Sequence, residues 1–184
     1  VAPPEEEMAR CKADLARQIE HRKALLETAD QPAITRDGHQ VEVAANVGSV
    51  ADAEQAVSLG AEGVGLLRSE FLFMGRATPP SEDEQAEIYA GVARALGPER
   101  TLVIRTLDVG GDKPLPYLPI PKEENPFLGE RGLRAVLTRP DLMRTQFRAI
   151  LRAAGLARLM VMLPMVTTVS EFQEARKVFE EERA

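Results

Sequence analysis

The sequence predicts an α/β fold built on a parallel sheet of about four βα units, preceded by a connector helix. Three observations predict it. A short β-rich apolar run, a loop and an amphipathic helix recur in that order four times. The runs end in polar residues: Asn46 at the first, Arg68 and Glu70 after the second, Arg105 and Asp108 at the third. No Gly-x-Gly-x-x-Gly turn follows the first run, which speaks against a dinucleotide-binding fold. Successive strand–helix pairs imply right-handed crossovers, and so either a doubly wound sheet or a TIM-type barrel. Polar strand tips are where barrel enzymes keep their ligand-binding residues, which favours a partial TIM (β/α)8-type barrel. Eight units take about 250 residues. The four units here would make half a barrel, with two open sheet edges.

The elements follow in order. Residues 5 to 29 carry Met8, Cys11, Leu15, Ile19 and Leu26 at three- and four-residue spacings, interrupted by Arg22. This predicts a charged helix with a narrow apolar stripe, packing one edge on a neighbour and ending near Asp30-Gln31-Pro32. A turn follows at Arg36-Asp37-Gly38-His39. The strands are then Val41 to Val47, Gly63 to Leu67, Thr101 to Leu107 and Leu159 to Val166. The helices are roughly 51 to 59, 82 to 96, 140 to 154 and 169 to 183.

Composition narrows the function. No apolar stretch is long enough to span a bilayer, and Glu5, Glu6 and Glu7 stand where a signal peptide carries basic residues, which points to a cytoplasmic protein. One cysteine allows no internal disulfide. A net charge of −6 argues against general nucleic-acid binding. The charge is unevenly spread, however: residues 99 to 158 sum to +4 and the remainder to −10. A basic centre in an acidic chain suits a small anionic ligand.

Three segments concentrate that positive charge near loops: Gly63 to Phe71 with Arg68, Arg105 to Lys113, and Glu124 to Arg131. Guanidinium groups present a planar fork of donors matched to phosphate and carboxylate oxygens. Gly110 and Gly111 allow close backbone approach and an amide nest beside Lys113. Each feature also has a plain structural reading. Arg68 can pair with Glu70 or Glu42, Arg105 can pair with Asp108, the glycines can form an ordinary turn, and Asp112-Lys113 can be surface charge. Pro114, Pro116, Pro119 and Pro121 describe a stiff extended loop, a cover for a site or only a spacer. Arg144, Arg148 and Arg152, at four-residue intervals, read as a solvated helix face, with Arg134 just before it. Cys11 reads as a small packing residue, and neither His21 nor His39 is assigned a catalytic role.

Taken together and in order, these segments resemble Enzyme I of the bacterial phosphoenolpyruvate-dependent sugar phosphotransferase system. The blocks are Gly60-Ala-Glu-Gly-Val-Gly-Leu-Leu-Arg-Ser-Glu-Phe-Leu-Phe-Met74, Pro80-Ser-Glu-Asp-Glu-Gln85, Arg105-Thr-Leu-Asp-Val-Gly-Gly-Asp-Lys113, Glu124-Asn-Pro-Phe-Leu-Gly-Glu-Arg131 and Met162-Leu-Pro-Met165. The resemblance implies two parts: residues 1–36 as the connector helix from a phosphohistidine domain, and 37–184 as the first half of the phosphoenolpyruvate-binding TIM barrel. It implies that Arg68 and Arg105 bind the substrate phosphate, that Arg131 is a further active-site arginine and that Lys113 lies nearby. Glu130 stands where many members carry an aromatic residue, a departure that leans toward the fused multiphosphoryl transfer proteins.

The activity so implied is transfer of a phosphoryl group from phosphoenolpyruvate to an enzyme histidine and on to the carrier HPr, which drives sugar uptake. Arginines and Mg²⁺ would neutralise the developing charge. The resemblance puts the histidine, the Mg²⁺ ligands and the enolate-protonating cysteine outside this segment, so the parent is expected to be an enzyme and the isolated chain inactive. It also implies a homodimeric parent, with no nucleic acid and no membrane among its partners. Two other readings stand beside it: a non-catalytic phosphoenolpyruvate-binding or partner-docking module, and a fragment of pyruvate phosphate dikinase or phosphoenolpyruvate synthase. The unfinished sheet further predicts that two copies pair their open edges or swap elements.

Overall fold

A computed structural model describes residues 3–110, 115–121 and 123–184. Helix α1 (Glu5–Leu26) opens the chain, with Glu5, Glu6 and Glu7 against the positive end of its dipole and Lys23 near the negative end. None of its residues is buried, and the expected packing of one edge is not observed. Met8, Leu15 and Ile19 stay exposed, and so does Cys11, which is therefore not the packing residue expected. The apolar stripe is narrow and stays exposed among the described residues.

A two-stranded antiparallel ribbon follows, β1 (Ala33–Ile34) with β2 (Gln40–Val41). Its turn is the predicted one: the Thr35 amide donates to the His39 carbonyl (2.8 Å), with Gly38 at φ 86°. The single strand expected over 41 to 47 is thus split. Val41 belongs to the ribbon, while β3 (Ala44–Val47) enters the main sheet. Between them the Val43 amide donates to the Glu62 carboxylate (2.6 Å).

Four βα units make the body of the molecule. They are β3 with α2 (Val50–Ser58); β4 (Gly63–Arg68) with the short α3 (Glu70–Phe73) and then α4 (Glu82–Leu96); β5 (Thr101–Arg105) with α5 (Leu133–Leu137) and α6 (Pro140–Arg152); and β6 (Arg158–Met162) with α7 (Val169–Arg183). All three strand pairings are parallel, in the order β3-β4-β5-β6. Strand order that follows chain order without reversal is the winding of a barrel rather than of a doubly wound sheet.

Helix starts explain themselves locally. Ser49 caps α2 by accepting from the Asp52 amide (3.1 Å). Ser81 with Glu84, and Thr168 with Glu171, form reciprocal capping boxes on α4 and α7. The Glu84 carboxyl is held down at about 2, chiefly by Arg76 and then by the Ser81 amide.

The core lies on one side of the sheet. Val64, Leu67, Leu102 and Ile104 pack under Tyr89, Val92, Ala93, Leu96, Ala149 and Ile150 from the helices. Strand alternation sends Val103 and Arg105 to the opposite face. On β6, Leu159 and Val161 turn toward the helices, whereas Met160 and Met162 are 58% and 39% exposed. The face away from the helices is therefore open, as the inner face of a partial barrel is. A second core caps the strand tips, with Phe73, Leu107, Val109, Leu133, Val136, Phe147 and Val178 packed around Leu115 and Leu118. The described part of the proline-rich loop is thus a turn anchored by buried Leu115 and Leu118, with the Leu118 amide donating to the Leu115 carbonyl (3.1 Å), and not an extended spacer.

Candidate functional site

The residues singled out in the sequence meet at the C-terminal ends of β4 and β5. Arg68 is the last residue of β4 and Arg105 the last of β5, and they are direct partners in the parallel register. Both therefore leave the sheet on the same face. Their surroundings differ. Arg68 is exposed and makes no ion pair among the described residues, so pairing with Glu70 or Glu42 does not account for it. Arg105 is largely buried between two carboxylates: Nη2 lies 2.6 Å from Glu70 Oε1, and Nη1 lies 3.0 Å from Asp108 Oδ2.

Asp108 divides its oxygens between two arginines, with Oδ1 accepting from Arg131 Nε at 3.0 Å. Arg131, 4% exposed, stacks over the Phe127 ring at 4.1 Å. Its stem fills the space beside Gly110, where an added Cβ would lie 3.0 Å from Arg131 Cγ. This close approach is what the glycine permits. Gly111, Asp112 and Lys113 lie outside the described residues, and with them the expected nest and the lysine.

The arrangement gathers three guanidinium groups and two carboxylates at the strand tips, with Arg105 set between Glu70 and Asp108. Glu70 and Asp108 orient Arg105, whose Nε is buried and has no hydrogen-bond partner among the described residues. One exposed arginine beside one pre-oriented arginine has the donor geometry that suits a small, highly charged anion such as a phosphate ester. Among the described residues no group of three or more His, Cys, Asp or Glu side chains is placed to hold a metal ion, and both tip carboxylates are engaged by arginine. The described residues thus do not themselves fit Mg²⁺.

Sequence reasoning missed Gln146. It is buried beneath the site, where its Oε1 accepts from the Leu107 amide (2.9 Å) and its Nε2 donates to Ser69 Oγ (3.1 Å) and Tyr89 Oη (3.0 Å). It thereby ties the residues just after β4 and β5 to α6 and α4. Burial pushes the Tyr89 phenol well up, keeping it a neutral hydrogen-bonding partner. The available signal was a glutamine on the apolar face of α6, between Met143 and Ile150.

Arg134 was placed on or before a solvated face. Instead it donates to the carbonyls of Phe127 (2.9 Å), Gly129 (2.8 Å) and Met165 (2.9 Å) and to Thr167 Oγ1 (2.7 Å). Arg144, Arg148 and Arg152 are likewise not merely solvated: they pair with Glu181 and Glu182 on α7 and with Glu82 and Asp83 on α4.

A parallel sheet wound in barrel order with arginines at its strand tips defines a β/α domain of the barrel class, and the comparisons with known proteins give its family. The family model described as the PEP-binding domain of PEP-utilising enzymes matches residues 22–184, and the chain belongs to that family. It is 50% identical over 183 residues to the multiphosphoryl transfer protein of Rhodobacter capsulatus, covering 100% of this chain and 22% of that protein. It is 45% identical over 184 residues to the phosphoenolpyruvate-protein phosphotransferase of Staphylococcus carnosus, covering 100% of this chain and 32% of that protein. It is 55% identical over 150 residues to the enzyme of that name in Haloferax volcanii, covering 79% of this chain and 26% of that protein. The chain thus spans about a third or less of the length of these relatives.

Proposed function

We propose that this chain supplies the phosphate-binding half of the phosphoenolpyruvate barrel in a phosphoenolpyruvate-protein phosphotransferase. Residues 37–184 form that half, and residues 1–36 connect it to a domain bearing the acceptor histidine. Arg68 and Arg105 grip the substrate phosphate, Arg131 is a further active-site arginine, and Lys113 is a nearby substrate-binding lysine. In the whole protein the phosphoryl group leaves the enol oxygen of phosphoenolpyruvate for the histidine nitrogen. The enolate takes up a proton to give pyruvate, and the phosphoryl group passes on to HPr for sugar uptake. Mg²⁺ belongs to the whole protein, with ligands outside the described residues. The parent works in the cytoplasm as a homodimer. No helix among the described residues is long and apolar enough to cross a membrane. Both a standalone phosphotransferase and a fused multiphosphoryl transfer protein fit these assignments.

The observation that carries this reading is the pairing of Arg68 with Arg105 at the ends of adjacent parallel strands. Two guanidinium groups side by side on one face match the oxygens of a single phosphate. The test is calorimetric titration with phosphoenolpyruvate, with and without Mg²⁺, on the wild-type chain and on Arg68→Gln. Arg68 has no ion pair to lose among the described residues, so the substitution leaves the fold intact. Affinity should fall about tenfold or more, since a charge-assisted hydrogen bond contributes about 1.5–3 kcal/mol. Equal affinity in the two chains would remove Arg68 from the site. Mixed with HPr and phosphoenolpyruvate, the chain alone should phosphorylate nothing, and pyruvate release would overturn that expectation.

A further inference from the structure

The segment just before Arg131 buries little among the described residues. From Asn125 to Glu130 no side chain is buried, Phe127 is 59% exposed and Leu128 83%. Apolar burial therefore does not set the pose of this loop. Local hydrogen bonds shape it, with the Leu128 amide donating to the Asn125 carbonyl (2.9 Å) and the Glu130 amide to Glu123 Oε1 (3.2 Å). Neither bond ties the loop to the rest of the strand tips. Arg134 does. Its fork donates to two carbonyls of this loop, at Phe127 and Gly129, and simultaneously to Met165 and Thr167 in the loop after β6.

We propose that Arg134 is a positioning residue of the anion site: by clamping Phe127–Gly129 onto Met165–Thr167, it fixes the ring and backbone against which Arg131 is set. Three features of the structure converge on this. The carbonyl that Arg134 Nη2 holds belongs to Phe127, the residue whose ring stacks on Arg131. All three nitrogens of the guanidinium are used, on three carbonyl oxygens and one hydroxyl, and Arg134 forms no ion pair among the described residues. Its charge is therefore spent on orienting backbone, and it adds to the positive potential of the strand tips. The clamp is also stitched from the other side, where the Gly132 amide donates to the Val109 carbonyl (3.0 Å) and the Leu133 amide to the Pro164 carbonyl (3.1 Å). The segment carrying Arg131, in the loop after β5, is thus joined to the loop after β6 through both the Arg134 side chain and the backbone. A lysine cannot replace it, because one ammonium cannot span acceptors arranged around a planar fork.

The consequence for phosphoenolpyruvate rests on the function proposed above; the consequence for Arg131 does not. The experiment separates them. In the wild-type chain, the NMR signal of the Arg131 Nε–H that donates to Asp108 is assigned by its loss in Arg131→Lys. In Arg134→Lys that signal should shift and exchange with solvent at least about tenfold faster, while the amide signals of Gly63–Arg68 and Thr101–Arg105 stay where they were. Phosphoenolpyruvate affinity, measured in parallel, should fall about tenfold.

An Arg131 signal unchanged in Arg134→Lys, whatever happens to the melting temperature, means that Arg134 only stabilises the chain and overturns the proposal. A wild-type chain that binds no phosphoenolpyruvate sinks the functional reading of the isolated chain, and the Arg131 signal still decides the role of Arg134. If Arg134→Lys does not fold, Thr167→Val decides. It removes one acceptor at an exposed position, and it should move the Arg131 signal in the same direction by a smaller amount. No movement there overturns the proposal too.

Discussion

Gly132 sits at φ 55° and ψ −126°, between Arg131 and the first turn of α5. A Cβ at this position would lie 2.9 Å from Met165 Cγ and 3.2 Å from the Pro164 carbonyl oxygen. Backbone and space both demand glycine here, and the demand comes from the loop after β6. Gly132→Ala should therefore cost about 1–3 kcal/mol in urea unfolding. Gly38→Ala shares the positive φ but meets no atom within 4 Å, and should cost less. Equal costs at the two positions would show that contact with Met165 contributes nothing. At this scale the sequence revealed which residues carry charge but not which charges cancel. Arg105 and Glu70 are separated by 35 residues, and Arg131 and Asp108 by 23. No local pattern links them; only the folding of two strand tips and a loop to one place does. Gln146 and Arg134 were passed over for the same reason, since their partners lie on other elements.

Helix α6 joins its two neighbours through one edge. Arg144 and Arg148 reach Glu182 on α7, at 2.5 and 2.9 Å, and Arg148 and Arg152 reach Glu82 on α4, at 2.7 and 3.2 Å. Arginines hold the Glu82 and Glu182 carboxyls below their ordinary value of 4.5, Arg148 foremost at Glu82 and Arg144 at Glu182. A depressed folded pKa means stability that is present above 4.5 and lost as pH falls through the folded values. The destabilisation caused by Arg148→Gln should therefore shrink as the pH falls from about 6 to about 3, and shrink also in high salt. Thermal unfolding across that range checks it, and a pH-independent difference would mean the pairs are idle. The elements legible in the sequence were those long enough to show a period: all four core helices and all four core strands. The ribbon β1–β2 and the short helices α3 and α5 span two, four and five residues and show none. Strands read as running to Leu107 and Val166 stop at Arg105 and Met162, and Leu107 and Leu163 just beyond them pack into the strand-tip core instead of continuing the ladder.

Across the whole molecule, four parallel strands leave β3 and β6 with one open edge each among the described residues. The face away from the helices carries exposed Met160 and Met162, flanked by Val166 at 42% exposed. Unpaired ladder groups beside apolar surface favour association. The chain by itself should therefore self-associate with rising concentration in light scattering, and a monomer across the accessible range would count against this. The amino-acid sequence on its own determined the repeating strand–helix order, the arginines at the ends of strands and the family, because periodicity and contiguous motifs are local properties of a chain. Only the tertiary structure decided which arginine is exposed and which is held by carboxylates, that three helix arginines bind neighbouring helices, and that Arg134 clamps two loops. Ion pairs and hydrogen bonds form between groups brought within about 3 Å, and that proximity is created by packing elements far apart in the sequence.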